Sequence, residues 1–288
     1  MPPKVTILLA TWNRAKMLPR AIESLQRQTF TDWEIVIADD GSTDETPEVV
    51  EAWQKKLNPA PSATGGLVSG EKRIVYVRNR ENQGISKNYN TGFRVARGEY
   101  IAMIDDDDPW CDNEKLAKQV KFLEEHRDYV GCGGGVIVVD ERGKEKYRYL
   151  KPETDKAIRA KMLFSNPMAN STTLFRKSTG EKVGWYDETT RYSGDRDFWL
   201  KAGLIGKLYN FPEYFSYYTM TGGNTSISKI RPHLKASLMI TKRYKGKYPR
   251  YYLALAFNEL QYAYAFVPEF IRKRIHTLLA RLKRFAVT

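Results

Sequence analysis

The first half of the chain alternates short, almost unbroken apolar runs with stretches that are apolar on one helical face. Residues 5–10 and 33–39 are compact apolar runs, as strands covered on both faces require. Between them Leu18, Ile22 and Leu25 recur at helical spacing, and residues 46–57 read as a second helix opened by the turn residues 40–44. Residues 58–70, rich in Pro, Gly, Ser and Ala, predict a surface loop. A strand at 73–77, a helix at 85–96, a strand at 100–104, a helix at 113–126 and a strand at 130–139 continue the series. Such alternation predicts an α/β fold with a mostly parallel sheet and helices on both faces. Residues 146–218 are less regular, with short strands, a helix near 154–164 and another starting near Asp195. Beyond Gly222 the pattern turns to long helices at 234–244, 251–266 and 270–285. The expected division is therefore a sheet-based domain over residues 1–228 and a helical region over 229–288. No internal repeat is present.

Composition changes this picture in one respect. A chain of 288 residues with 42% apolar and 12% aromatic content is ordered and can bury a large core. Its net charge of +13 is uneven: residues 229–288 carry 14 Lys and Arg against Glu259 and Glu269, which leaves the first 228 residues almost neutral. No apolar run is long enough to cross a bilayer, and residues 5–10 are too short for a signal-peptide core, so the expected compartment is the cytoplasm. Cys111 and Cys132 are too few for a disulfide framework and lack metal-ligand spacing, and reduced thiols are expected.

In open α/β sheets ligands bind beyond the carboxyl ends of the strands. Three polar clusters stand there: Thr11-Trp12-Asn13-Arg14, Asp39-Asp40-Gly41-Ser42, and four consecutive aspartates, Asp105 to Asp108, followed by Pro109-Trp110. Four adjacent carboxylates repel one another unless a cation compensates them, and hard oxygens suit Mg²⁺ or Mn²⁺ with a phosphate beyond. The competing reading is an acidic cap for the helix near Asn113, which accounts for one or two aspartates but not four. Asp40 could offer a carboxylate to a nucleoside, or the Asp-Gly pair could be an ordinary tight turn. Trp12 could stack on a base or simply pack in the core.

These clusters, with Ser24-Leu25-Gln26-Arg27-Gln28-Thr29-Phe30, Asn82-Gln83-Gly84, Asn90-Thr91-Gly92 and Arg97-Gly98-Glu99-Tyr100-Ile101 in order, resemble the family 2 glycosyltransferases over roughly residues 4–226. The resemblance implies a GT-A fold and inverting transfer from a nucleotide sugar, usually a UDP-sugar, to an acceptor hydroxyl. It implies that Asp40 meets the base, that Trp12 flanks it, and that Thr11, Asn13, Arg14 and Asn82 lie around the donor. Asp105 and Asp106 would lie near ribose and metal, with Asp107 and Asp105 as metal ligands in a motif whose register four aspartates leave ambiguous. The family's base-bearing motif resembles Tyr192-Ser193-Gly194-Asp195-Arg196-Asp197, with Asp195 the candidate general base and Asp197 the second. A positioned carboxylate suits that task, and a metal-bound diphosphate leaves without an acid. Alternatively, Asp195 only caps its helix.

The chain departs from the family pattern at three places. Gly194 stands where many members have Glu; Tyr89 stands where many have Arg, with Lys87 as a substitute cation for the diphosphate; and residues 218–226 lack the usual His, with His233 expected at the surface. Residues 229–288 join basic clusters to an apolar stripe at 270–285, a pattern that suits an anionic membrane surface or packing on the chain itself or a second subunit. The expected partners are a nucleotide-sugar donor and a glycan or lipid-linked acceptor at the inner face of the cell membrane. Nucleic acid is not expected, because the charge is confined to a tail without a nucleic-acid motif. A nucleotidyltransferase would carry a basic Gly-rich phosphate loop, which residues 9–14 lack; a non-catalytic binding protein of the same fold is the other alternative.

Overall fold

The computed structural model describes residues 1–58, 73–190, 192–220 and 229–267, and the expectations for 59–70 and 270–285 lie outside them. In chain order the elements are β1 (Val5–Thr11), α1 (Leu18–Gln26), β2 (Trp33–Asp39), α2 (Thr46–Leu57), β3 (Ile74–Arg78), α3 (Ile85–Val95), β4 (Tyr100–Asp105), α4 (Lys115–Glu125), β5 (Tyr129–Val139), β6 (Glu145–Tyr149), α5 (Asp155–Lys161), β7 (Leu174–Arg176), α6 (Lys177–Val183), α7 (Gly194–Ala202), β8 (Lys207–Thr219), α8 (Ile230–Arg243) and α9 (Tyr251–Tyr264). A 3-10 turn, Asn170–Thr172, precedes β7.

One sheet runs in the order β3-β2-β1-β4-β7-β5-β6, with β8 also paired to β5. The first four strands are parallel, as their apolar runs require. β7 is antiparallel to both β4 and β5, and β6 is antiparallel to β5, so the second half is mixed. The long strand β8 is hidden from periodicity because its parallel register with β5 shifts repeatedly, skipping the stretch that contains Pro212. A proline cannot donate to the ladder and is tolerated at such irregularities.

Alternate residues of the parallel strands feed two cores. Val5, Ile7, Leu9, Ile35, Ile37 and Ile104 pack with α1, α2 and α4. Leu8, Val36, Ala38, Ile101 and Met103 face α3 and α7, together with Ile240, Tyr244, Tyr248 and Ala254 from the C-terminal region. The helical character expected beyond residue 229 is present, and α8 and α9 are built into this second core. No helix among the described residues is long and apolar enough to cross a membrane.

Candidate active site

The strand register brings the three polar clusters together. Thr11 pairs with Asp39, and Ala10 pairs with Asp105, so the carboxyl ends of β2, β1 and β4 form one rim. α1 and α2 cover one face and α3 the other, which makes this the point where successive connections part to opposite sides.

On the β2 side, Asp39 is fully buried and accepts from the Ser42 amide (2.9 Å) and the Tyr76 hydroxyl (2.5 Å). Gly41 takes φ +76°, and a Cβ there would sit 2.9 Å from the Glu81 backbone, so the turn requires glycine. Asp40 is 3% exposed. Its carboxylate accepts from Asn79 Nδ2 (2.9 Å) and from the amides of Gln83 (2.8 Å) and Gly84 (2.9 Å). The carboxylate read as a nucleoside contact is thus engaged in fastening the loop that carries Asn82, which is itself exposed. Asn13, left-handed at φ 54°, donates its amide to Ser42 Oγ (2.8 Å) and accepts from the Thr43 amide (2.7 Å). Trp12 is 49% exposed, which removes the core-packing alternative. Thr11 Oγ1 is buried, and its hydroxyl interacts with the Asp106 carboxyl. Lys87 is exposed in the first turn of α3, with no ion pair among the described residues.

The four aspartates divide into two kinds. Asp105, the last residue of β4 and not a loop residue, accepts from the Tyr89 hydroxyl, Asn170 Nδ2 (2.9 Å) and Ser171 Oγ (3.0 Å). Tyr89, standing where many family members carry arginine, therefore serves Asp105. Asp108 meets Ser171 Oγ (3.1 Å) and accepts from the Thr219 amide (3.2 Å). One hydroxyl proton cannot serve both carboxylates; the count closes when Asp108 is protonated and donates to Ser171 Oγ. Burial, with the charges of Asp107 and Asp105, pushes the Asp108 carboxyl well above the usual range. Burial also lifts Asp105 to about 6, and burial with the Asp107 charge lifts Asp106 to about 8. Asp107 opens to the rim with its side chain 14% exposed and lies 3.5 Å from Arg14 Nη1.

Of the two aspartates expected to hold a metal, Asp105 is occupied by protein donors while Asp107 is accessible. No group of three His, Cys, Asp or Glu side chains among the described residues could hold a metal ion. Mg²⁺-like ions often take only one or two carboxylates and complete their shell with substrate phosphate and water, so the donor set fits a cation shared with a diphosphate. The segment that lacks the family's His extends through 221–228, outside the described residues.

Asp195, in the first turn of α7, accepts from Asn166 Nδ2 (2.7 Å), and no side chain caps that helix. As a first-turn carboxylate Asp195 also complements the helix dipole, so the structural alternative stands beside the catalytic one. A Cβ on Gly194 would fall 2.7 Å from Ser86 Oγ, so glycine lets the α7 and α3 ends close on each other where a glutamate could not fit unchanged. Tyr186 lies between the base-bearing turn and the acidic rim: its hydroxyl donates to Asn170 Oδ1 (3.3 Å), and the charges of both Asp195 and Asp105 act on it. Asp197 is buried, and its carboxylate accepts from the Tyr244 hydroxyl (3.0 Å) of the segment after α8. That places the second candidate base in the packing of the C-terminal region. Asn166, Asn170 and Ser171 are functional neighbours that sequence reading missed, since they lie in the irregular stretch where no period marks them. His233, expected at the surface, is half-buried against Ser193.

A buried acidic loop thus lies at the switch point of the parallel half of the sheet. The chain belongs to the glycosyl transferase family 2, whose model matches residues 6–185. It is 31% identical over 201 residues to the putative glycosyltransferase EpsE of Bacillus subtilis, covering 69% of this chain and 66% of EpsE. The fold is similar to that of S. aureus TarS at 19% identity: the TarS 1–349 structure with UDP-GlcNAc superposes with TM-score 0.66 over 96% of this chain and 75% of that one. A longer TarS chain is covered to only 44%. The mannosyltransferase PcManGT of Pyrobaculum calidifontis, solved with GDP-Man and Mn²⁺, gives TM-score 0.61 at 18% identity over 100% of this chain and 81% of its own. The chain is a glycosyltransferase with the GT-A fold.

Proposed function

We propose that the enzyme transfers a sugar with inversion from a nucleotide-diphosphate donor, a UDP-sugar first among candidates, to a hydroxyl of a glycan or lipid-linked acceptor. The observation that carries this reading is the rim itself: Thr11, the Asp39–Asp40 turn and the Asp105–Asp107 loop adjoin through strand pairing, and Asp195, held by Asn166, is close enough that its charge and that of Asp105 both act on the Tyr186 hydroxyl. The nucleotide base lies against the exposed face of Trp12, in a pocket shaped by the loop that Asp40 holds, with Asn82 and Lys87 at its edge. Arg14 faces the diphosphate. Asp107, supported by Asp106 and Asp105, holds Mn²⁺ or Mg²⁺, which when bound supplies the positive charge that stabilises the departing diphosphate. Asp195 takes the proton of the acceptor hydroxyl as the new bond forms, and Asn166 fixes its direction. Likeness to proteins solved with UDP-GlcNAc and with GDP-Man and Mn²⁺ supports the donor class and the metal.

The acceptor reading draws on α9. Tyr252, Leu253 and Leu260 are exposed there and Phe266 just beyond its end, and exposed Lys245, Lys247 and Arg250 precede the helix in the chain. An apolar face close in sequence to basic side chains suits the surface of an anionic membrane, where a lipid-linked acceptor resides. A panel of nucleotide sugars with Mn²⁺ tests the reaction: release of nucleoside diphosphate is expected, and its loss in Asp195→Asn. Release of sugar 1-phosphate instead would mark a nucleotidyltransferase, and an unchanged rate in Asp195→Asn would remove the base assignment.

A further inference from the structure

Ser193 precedes α7 in the N-cap position yet does not behave as a cap. An N-cap serine normally adopts extended backbone angles and spends its hydroxyl on an amide of the first turn. Here Ser193 is left-handed (φ 61°, ψ 28°), and its hydroxyl caps nothing. It lies instead 3.1 Å from His233 Nδ1, on α8 forty residues later. Tyr192 stands edge-on to the same imidazole, with ring centroids 6.4 Å apart. A non-glycine residue stays left-handed only where its surroundings over-determine it.

The rest of the turn is held from the same side. Arg196, buried beside Asp195, donates from Nη1 to Ser237 O (3.1 Å) and Ser237 Oγ (2.9 Å) and from Nη2 to Thr241 Oγ1 (3.1 Å), all on α8. The Tyr244 hydroxyl, at the end of α8, donates to Asp197. Ser193, Arg196 and Asp197 are thus tied to one helix or its end, while Asp195 between them faces Asn166. We propose that His233 is a positioning residue: by engaging the Ser193 hydroxyl it keeps that residue left-handed and aims Asp195 at the acceptor, so that α8 is part of the catalytic unit. This rests on Asp195 being the base.

The test is a set of full-length variants: His233→Ala, His233→Asn, Ser193→Gly, the double variant Ser193→Gly/His233→Ala, and Asp195→Asn. The first readout needs no substrate: amide hydrogen exchange over residues 194–197 should quicken in His233→Ala and return towards wild type in His233→Asn, whose side chain can still engage the hydroxyl. The second is turnover of whichever nucleotide sugar the wild type uses best. His233→Ala should lower kcat about tenfold, the scale on which a strained backbone state depopulates, with donor KM within about twofold. His233→Asn should recover most of that loss. Glycine adopts the left-handed state freely, so on the Ser193→Gly background removing His233 should cost less than about twofold. Should His233→Ala not fold, His233→Phe, which fills the space without a hydrogen-bonding atom, replaces it. Unchanged exchange and kcat in His233→Ala, or an equal loss with and without Ser193→Gly, would overturn the proposal. If Asp195→Asn stays active the base assignment fails; if Asp195→Asn is dead while His233→Ala is normal, only the positioning role fails.

Discussion

Beneath the acidic rim lies a buried cation whose replacement gives a stability change of opposite sign at low and high pH. Lys115 opens α4 and is fully buried. Its ammonium donates to Gln119 Oε1 (2.8 Å) and lies 3.9 Å from the centre of the Trp110 ring, with no ion pair among the described residues. Burial lowers its pKa from 10.5 to about 7. That fall corresponds to about 5 kcal/mol between the charged and neutral forms. The unfolded chain keeps the proton up to about 10.5 while the folded protein loses it near 7, so the cost is fully present below pH 7 and is relieved as pH rises towards 10.5. Lys115→Met removes this cost. It also orphans Gln119 Oε1, which forfeits about 2 kcal/mol; the cation–π contact with Trp110 belongs to the charged form and is already contained in the lowered pKa. The variant should therefore be more stable than wild type by about 2.5 kcal/mol at pH 6.5 and less stable by about 0.5 kcal/mol at pH 9.5. Urea unfolding of both proteins at the two pH values measures this, and titrating groups that do not sense Lys115, such as Asp106, drop out of the difference. Parallel curves for the two proteins would refute the reasoning. Gln119 also donates to Thr172 O, and Trp110 Nε1 donates to Ser171 O, so the lysine stands under the 3-10 turn that supports Asp105.

Three further outcomes are expected. Trp12→Ala should weaken UDP binding by about 1–3 kcal/mol through lost stacking, measured by calorimetry, with little change in Tm because Trp12 is already half-exposed; an unchanged Kd would remove Trp12 from the base site. Manganese affinity in the presence of UDP should rise between pH 6 and 8 with release of protons, because Asp106, lifted to about 8, and the raised Asp107 must ionise to face a cation; calorimetry in buffers of different ionisation enthalpy would show no such release if these carboxyls were already ionised. Ser171→Ala should cost about 1–3 kcal/mol of stability in urea, since it leaves the Asp105–Asp108 pair without its shared hydroxyl; no change would mean that the serine carries neither carboxylate.

The sheet's parallel half was legible because each strand is a continuous apolar run ending in polar residues, so Thr11, Asp39 and Asp105 could be placed on one rim before any register was known. What the pattern could not reveal is which carboxylates are already engaged. Asp40 and Asp105 look as available as Asp107 in the sequence, but Gln83, Gly84, Tyr89, Asn170 and Ser171 reach them only through tertiary contacts. β8 escaped for a different reason: its shifted register around Pro212 breaks the alternation that marks a strand. The packing of α8 was equally hidden, because its basic residues dominate the composition while Ile240 and Tyr244 do the burying. His233 was misplaced at the surface for the same cause, since a lone histidine forty residues past its partner has no local signature.

The most direct measurement is an anomalous difference map at the manganese edge from crystals grown with UDP and Mn²⁺. A single peak should stand within coordinating distance of the Asp107 carboxylate and of two diphosphate oxygens, with Arg14 turned from Asp107 towards the nucleotide. A nucleotide bound with no peak at that carboxylate, or with the Arg14–Asp107 pair intact and the metal elsewhere, would contradict the role assigned to the acidic rim.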